Sequence, residues 1–289
     1  LCAQFPGSYW RALDREMAYP AAFVQALTEA GWLGALIPEN FGGSGLPLSA
    51  AAVILEEIHR SGGNAGACHA QMYTMGTLLR HGSEAQKRLY LPKIADGTLR
   101  LQAFGVTEPS SGTDTGALRT TAKRDGSDYV VNGQKIWTSG ANHADWIFTL
   151  VRTDPQAPKH EGISFVLIDM DQPGVTVKPI LLISGNSPFC ETFFDDTRVE
   201  KHNLVGQLNR GWAVGKRLLQ HERSSISGLN NGGARGRYDD LRSLSELALD
   251  YIGGHDGKIA DQDLRSEISE NMMNQRAFGL TQKRAMQEN

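Results

Sequence analysis

The chain has 289 residues, 40% hydrophobic and 21% charged, a balance typical of a globular protein long enough for two or three domains. Its formal net charge of -3 gives no electrostatic reason to expect nucleic acid as a partner. The longest apolar runs, Trp146–Val151 and Ile163–Ile168, are far too short to span a bilayer.

The elements fall into three stretches. Tyr19 to Gly34 places Phe23, Leu27, Ala30 and Leu33 at helical spacing, and the turn-rich segment Ile37–Gly45 breaks it. Ser49 to Arg60 reads as a second helix, with Ser49 as N-cap and Val53, Ile54 and Ile58 on one face. Further helices are expected over Ala67–Arg80 and Glu84–Ala95. At Leu101 the pattern changes. Gln102–Val106, Ala117–Arg124, Tyr129–Trp137, Trp146–Arg152, Ile163–Asp169, Val175–Pro179 and Glu191–Val199 are short runs rich in β-branched and aromatic residues, separated by Gly, Asp or Pro. Such spacing predicts an antiparallel barrel or sandwich. There is no βαβ alternation and no GxGxxG, so a dinucleotide fold of the Rossmann type is disfavoured. Helical periodicity returns after Gly211 with Trp212, Val214, Leu218 and Leu219, and further helices are expected over Leu241–Ile252 and Leu264–Gln287. The predicted class is α+β: a helical domain over 1–100, a β domain over 101–207 and a helical domain over 208–289. The start at Leu1 and the stop inside a helical run read as those of a fragment cut at both ends.

Three cysteines, Cys2, Cys68 and Cys190, stand far apart with no CxxC pair. This argues for a reducing compartment and against a disulfide framework or a zinc site. The eight histidines show no HxxxH or HxH spacing, so no metal site is expected.

Two runs carry the chemistry. Phe104 to Asp114 reads F-G-V-T-E-P-S-S-G-T-D, a hydroxyl-rich turn directly after an apolar strand. Val131 to Gly140 reads V-N-G-Q-K-I-W-T-S-G and ends a strand with Trp137, Thr138 and Ser139. Either run alone reads equally as an ordinary turn or a buried edge tryptophan. Two further stretches flank them: Leu36–Gly43 (L-I-P-E-N-F-G-G) and Glu191–Gly206, with its F-F-D-D-T-R-V…N-L-V-G ending. Together these residues resemble the acyl-CoA dehydrogenase family over nearly the whole chain.

The resemblance implies FAD as cofactor and α,β-desaturation of an acyl-CoA thioester, with electrons passed to an electron-transfer flavoprotein. Phe104, Val106 and Thr107 match the family's flavin-contacting strand. Trp137 and Ser139 match its flavin-stacking and N5-bonding pair, with serine where many members carry threonine, and Thr138 between them is implied as a further flavin contact. Thr113 falls where a small hydroxyl residue contacts acyl-CoA. Abstraction of an α proton requires a carboxylate in a dry pocket. Some members place that glutamate directly before an arginine, as Glu222 stands before Arg223 here; others place it much further downstream. Arg223 is implied as substrate-binding, with a surface ion pair as the alternative for both residues, and His221 reads as a helix-surface histidine.

One departure is clear. Asp250–Lys258 is a glycine-rich linker where most members carry an Arg-x-x-Phe-Gly run reaching a neighbouring subunit's flavin, and Arg276–Gly279 lies too far along to replace it. A homo- or hetero-oligomer is implied, in the bacterial cytoplasm or the mitochondrial matrix. Two alternatives stay open: a flavin oxidase or monooxygenase of the same fold, and a non-catalytic subunit of a heteromer. Met72, Tyr73 and Met75 have the spacing of core residues but are also placed to line an acyl pocket.

Overall fold

In the computed structural model, which describes residues 1–219 and 243–287, helices precede a sheet and follow it. Five α-helices come first: α1 (Gly7–Glu16), α2 (Ala21–Glu29), α3 (Leu48–Arg60), α4 (Gly66–His81) and α5 (Glu84–Ala95). The start of α5 is set by a capping box. Ser83 Oγ accepts from the Gln86 backbone N–H at 3.2 Å, and Gln86 Oε1 accepts from the Ser83 N–H at 2.8 Å. α3 differs from expectation at its cap and at Val53, while Ile58 is buried as expected. Its N-cap is Pro47 rather than Ser49, and the buried stripe is Ala51, Leu55 and Ile58, while Val53 is exposed. Residues i, i+4 and i+7 share a face, and Val53 falls off it.

The strands are β1 (Leu101–Gly105), β2 (Thr121–Asp125), β3 (Asp128–Ser139), β4 (Trp146–Arg152), β5 (Ile163–Asp169), β6 (Val175–Ile180), β7 (Phe189–Val199) and β8 (Leu204–Val205). They form one sheet in the order β6-β7-β3-β2-β4-β5-β8, with β1 added beside β4. The sheet is mixed, where the sequence predicted an antiparallel one, and it is not a closed barrel. β1 runs parallel to β4, placing Phe104 beside Phe148, and β2 meets β4 in parallel at Thr121–Arg152. Both parallel strands lie along the same edge of β4, one after the other. β3 is bent where Gly133 (φ 151°) interrupts its ladder with β7. A Cβ there would sit 2.6 Å from Thr120 Cα, so only glycine allows that approach.

One core lies between α4–α5 and the sheet, containing Met75, Leu78, Leu91, Ile94, Phe148 and Phe165. A second covers the other face around Val131, Ile147, Val166 and Phe194. β4 and β5 are therefore buried on both faces, which is why they read as unbroken apolar runs. α5 docks on the sheet by polar contacts as well, with Gln86 Nε2 donating to the carbonyls of His202 at 2.6 Å and Leu204 at 2.9 Å.

After β8 comes α6, whose described residues are 211–219. It is followed by α7 (Leu244–Ile252) and α8 (Gln262–Gln287). The predicted linker after α7 is instead a hairpin, β9 (Gly254–His255) with β10 (Lys258–Ile259). Asp256 and Gly257 both take positive φ at its turn, 52° and 70°, as two-residue hairpin turns require. Ile259 then packs with Ala248 and Ile268. Among the described residues, no helix is long and apolar enough to cross a membrane.

Candidate functional site

β2 pairs with β3 only as far as Asn132. Beyond that point β3 needs another partner, and the chain leaving β1 supplies it: the Ile136 N–H donates to the Thr107 carbonyl at 2.9 Å. The two runs singled out in the sequence thus meet along one line.

A β-bulge then decides which side chains face outward. In the pairing of β3 with β7, Lys135 lies opposite Thr192 and Thr138 opposite Cys190. Ile136 and Trp137 together therefore oppose the single residue Glu191. Strict alternation would put Trp137 on the same face as Lys135, which is fully buried. The bulge breaks the alternation and turns Trp137 outward, with its backbone left-handed at φ 62°. That conformation is costly for a bulky residue and is concentrated at functional sites. The indole is 51% exposed and held at one edge by Phe189, at a centroid distance of 6.0 Å and an angle of 81°.

The result is a cleft of about 410 Å³. It is lined by Phe104, Val106 and Thr107 from the chain at and beyond the end of β1, and by Ile136, Trp137 and Ser139 from the adjacent end of β3. Gly112, Thr113 and Thr115 also line it, as does Leu219 of α6. Among the described residues, no protein hydrogen bond engages the hydroxyls of Thr107, Thr113 or Ser139.

Six of the sequence-predicted residues are thus brought together: Phe104, Val106, Thr107, Thr113, Trp137 and Ser139. Thr138 is not in the cleft wall. Its side chain is buried, because it falls on the Lys135 face once the bulge has passed. Glu222 and Arg223, with His221, lie outside the described residues. Met72 and Met75 are core residues, at 5% and 0% exposure, while the side chain of Tyr73 lies outside the described residues. Sequence reasoning missed Gly112, Thr115, Ile136 and Leu219. Ile136 precedes Trp137 directly, but only the bulge puts both on one side.

It also missed a buried ion pair behind the cleft. Lys135 Nζ lies 2.8 Å from Glu108 Oε1, with side-chain exposures of 0% and 3%. Lys135 also donates to the Val106 carbonyl at 3.3 Å. Glu108 accepts the backbone N–H of Arg119 at 2.6 Å and that of Thr120 at 3.0 Å. Burial pulls the Lys135 ammonium down to about 8, against the opposing pull of Glu108. Burial alone would raise the Glu108 carboxyl, but the Lys135 charge and these hydrogen bonds hold it below its ordinary range. Each charge favours the ionised form of its partner.

The match to known proteins agrees with this geometry. The family model for the acyl-CoA dehydrogenase N-terminal domain matches residues 4–98, and that for the middle domain matches residues 103–197. The acyl-CoA dehydrogenase FadE29 of Mycobacterium tuberculosis is 38% identical over 251 residues, covering 86% of this chain and 62% of that protein. The chain therefore spans less than two thirds of that relative's length. A solved structure of a probable acyl-CoA dehydrogenase from Mycobacterium abscessus is 30% identical, with a TM-score of 0.79 over 96% of this chain and 74% of the other. The Tcur3481-Tcur3483 steroid ACAD is 33% identical, with a TM-score of 0.74 over 92% of this chain and 67% of that one. The chain belongs to the acyl-CoA dehydrogenase family.

Proposed function

We propose that this chain holds FAD in the cleft between Phe104–Thr107 and Ile136–Ser139 and takes part in the α,β-desaturation of an acyl-CoA thioester. The observation that carries this reading is the bulge, which puts Trp137 and Ser139 in the same cleft as Thr107. The cleft suits a flat ring with a polar edge. It is lined by apolar and aromatic groups and by hydroxyls that the described protein leaves unengaged. When bound, FAD supplies the acceptor for the β hydride.

The residues of the chain do the rest. Trp137, Ile136, Phe104 and Val106 cover the ring and exclude water, which strengthens every polar contact inside. Thr107 and Ser139 offer hydrogen bonds to the ring's polar edge. Thr113, which also lines the cleft, is the proposed substrate contact. Glu222, three residues after Leu219 in the sequence, is the proposed base that takes the α proton on a carboxylate oxygen, with Arg223 beside it as a substrate contact. Electrons then leave to an electron-transfer flavoprotein.

Purified protein incubated with FAD and desalted tests this reading. It should stay yellow, and anaerobic addition of an acyl-CoA should bleach the flavin band. Colourless protein that takes up no FAD overturns it.

A second reading has the chain assemble as one subunit of an oligomer with itself or with a related chain. It is favoured by α8, where Met272, Met273, Phe278 and Leu280 are 58%, 65%, 63% and 54% exposed. Sedimentation of the purified chain at rising concentration tests it, and a persistent monomer excludes self-association.

A further inference from the structure

The Glu108–Lys135 pair touches all three parts of the cleft without facing it. Lys135 immediately precedes the bulge that presents Ile136 and Trp137. Its ammonium donates to the carbonyl of Val106, a lining residue from the neighbouring segment. Glu108 opens the turn that carries Gly112 and Thr113, and its backbone exchanges hydrogen bonds with Ser111 at 3.2 and 3.0 Å. The carboxylate also fastens the backbone of Arg119 and Thr120. Each partner is thus one or a few residues from a cleft-lining group.

Stability alone is a poor account of this arrangement. Replacing a buried ion pair by apolar groups of similar volume is often neutral or stabilising. An apolar pair, however, cannot hold the Val106 carbonyl or the Arg119 and Thr120 N–H groups in place. What the charges add is fixed spacing between the segments that carry Val106, Ile136 and the turn.

We propose that Glu108 and Lys135 are positioning residues for the flavin, setting the cleft so that Thr107, Trp137 and Ser139 meet the ring without rearrangement. This inference rests on the flavin reading above. Preorganised sites lose affinity when their supporting contacts are left loose, even with every contacting residue intact.

The test compares wild type, Lys135→Met and the double variant Glu108→Gln/Lys135→Met. It uses thermal midpoint, FAD dissociation constant and the visible circular dichroism of bound FAD. Lys135→Met strands the Glu108 charge and should lower the midpoint sharply. The double variant removes that charge and should recover most of the midpoint. Its FAD dissociation constant should still be raised about ten-fold or more, with an altered flavin dichroism. If FAD affinity and dichroism recover together with the midpoint, the pair is merely structural and the inference fails. If neither variant folds, the pair belongs to the fold itself and the inference fails likewise. Wild-type protein that takes up no FAD overturns the flavin reading and this inference with it.

Discussion

The left-handed backbone at Trp137 makes a prediction whose sign is unusual. Consider Trp137→Ala and Trp137→Gly in flavin-free protein. Both remove an indole that is 51% exposed. A buried tryptophan covers roughly 150–250 Å², so about half of that, ~100 Å², is lost at ~25 cal/mol per Å². Loss of the Phe189 edge contact adds about 0.5–1.5 kcal/mol. Each variant is therefore destabilised by roughly 3 kcal/mol before the backbone is considered. The difference between them isolates the backbone. Alanine keeps the cost of φ 62°, about 1–2 kcal/mol for an L-residue. Glycine removes that cost and adds about 0.5–1 kcal/mol of chain entropy. Trp137→Gly should accordingly be the more stable variant, by roughly 0.5–1 kcal/mol. At an ordinary strand position the order is reversed. Urea unfolding with unchanged slopes reads the difference directly from the midpoints. An alanine variant as stable as the glycine variant, or more so, would show that Trp137 is not held in the left-handed region and would remove the bulge argument.

Three further outcomes are expected. Glu108, depressed below its ordinary value of 4.5, contributes stability that is full above that pH and is lost as pH falls through the lower, folded value. The wild-type thermal midpoint should therefore drop in acid, and that of Glu108→Gln should drop less over the same range. Phe148→Ala empties a fully buried site 5.0 Å from the Phe165 ring; urea unfolding should show a loss of about 3–5 kcal/mol. Glu222→Gln, in protein that carries FAD, should leave the yellow colour unchanged while the acyl-CoA-induced bleaching disappears; bleaching at the wild-type rate would place the base elsewhere.

Much of the fold was legible because burial leaves a local mark. Trp146–Arg152 and Ile163–Asp169 were read with the bounds they have, since strands covered on both faces are continuously apolar. Glu84–Ala95 was read equally well. The mixed character of the sheet was not legible. β1 reaches the edge of β4 through the hairpin of β2 and β3, with no crossover helix between them, so the usual sign of parallel pairing is missing. Asp250–Lys258 misled for a related reason. Glycines at 253, 254 and 257 look like a linker, yet positive φ at Asp256 and Gly257 makes a tight hairpin that buries Ile259.

The site shows the same limit at a finer scale. The sequence offered Trp137 as a wall and Ser139 as a hydroxyl, with Thr138 as a further contact between them, but period-2 alternation would have turned Trp137 and Ser139 inward with Lys135, leaving Thr138 outside. The observed order is the opposite, because one extra residue opposite Glu191 shifts everything after it by a face. No periodicity announces that residue, and the local cost of φ 62° at a tryptophan argues against it. The bulge persists because its neighbours over-determine it: the Thr107 carbonyl takes the Ile136 N–H, Lys135 is fixed from below by Glu108, and Phe189 holds the indole edge. Two of those three partners, Thr107 and Glu108, belong to the first run, and Lys135 and Trp137 to the second. The two runs were conspicuous in the sequence for their hydroxyls, but what joins them is a backbone hydrogen bond and a buried charge pair, and these decide which hydroxyls reach the cleft.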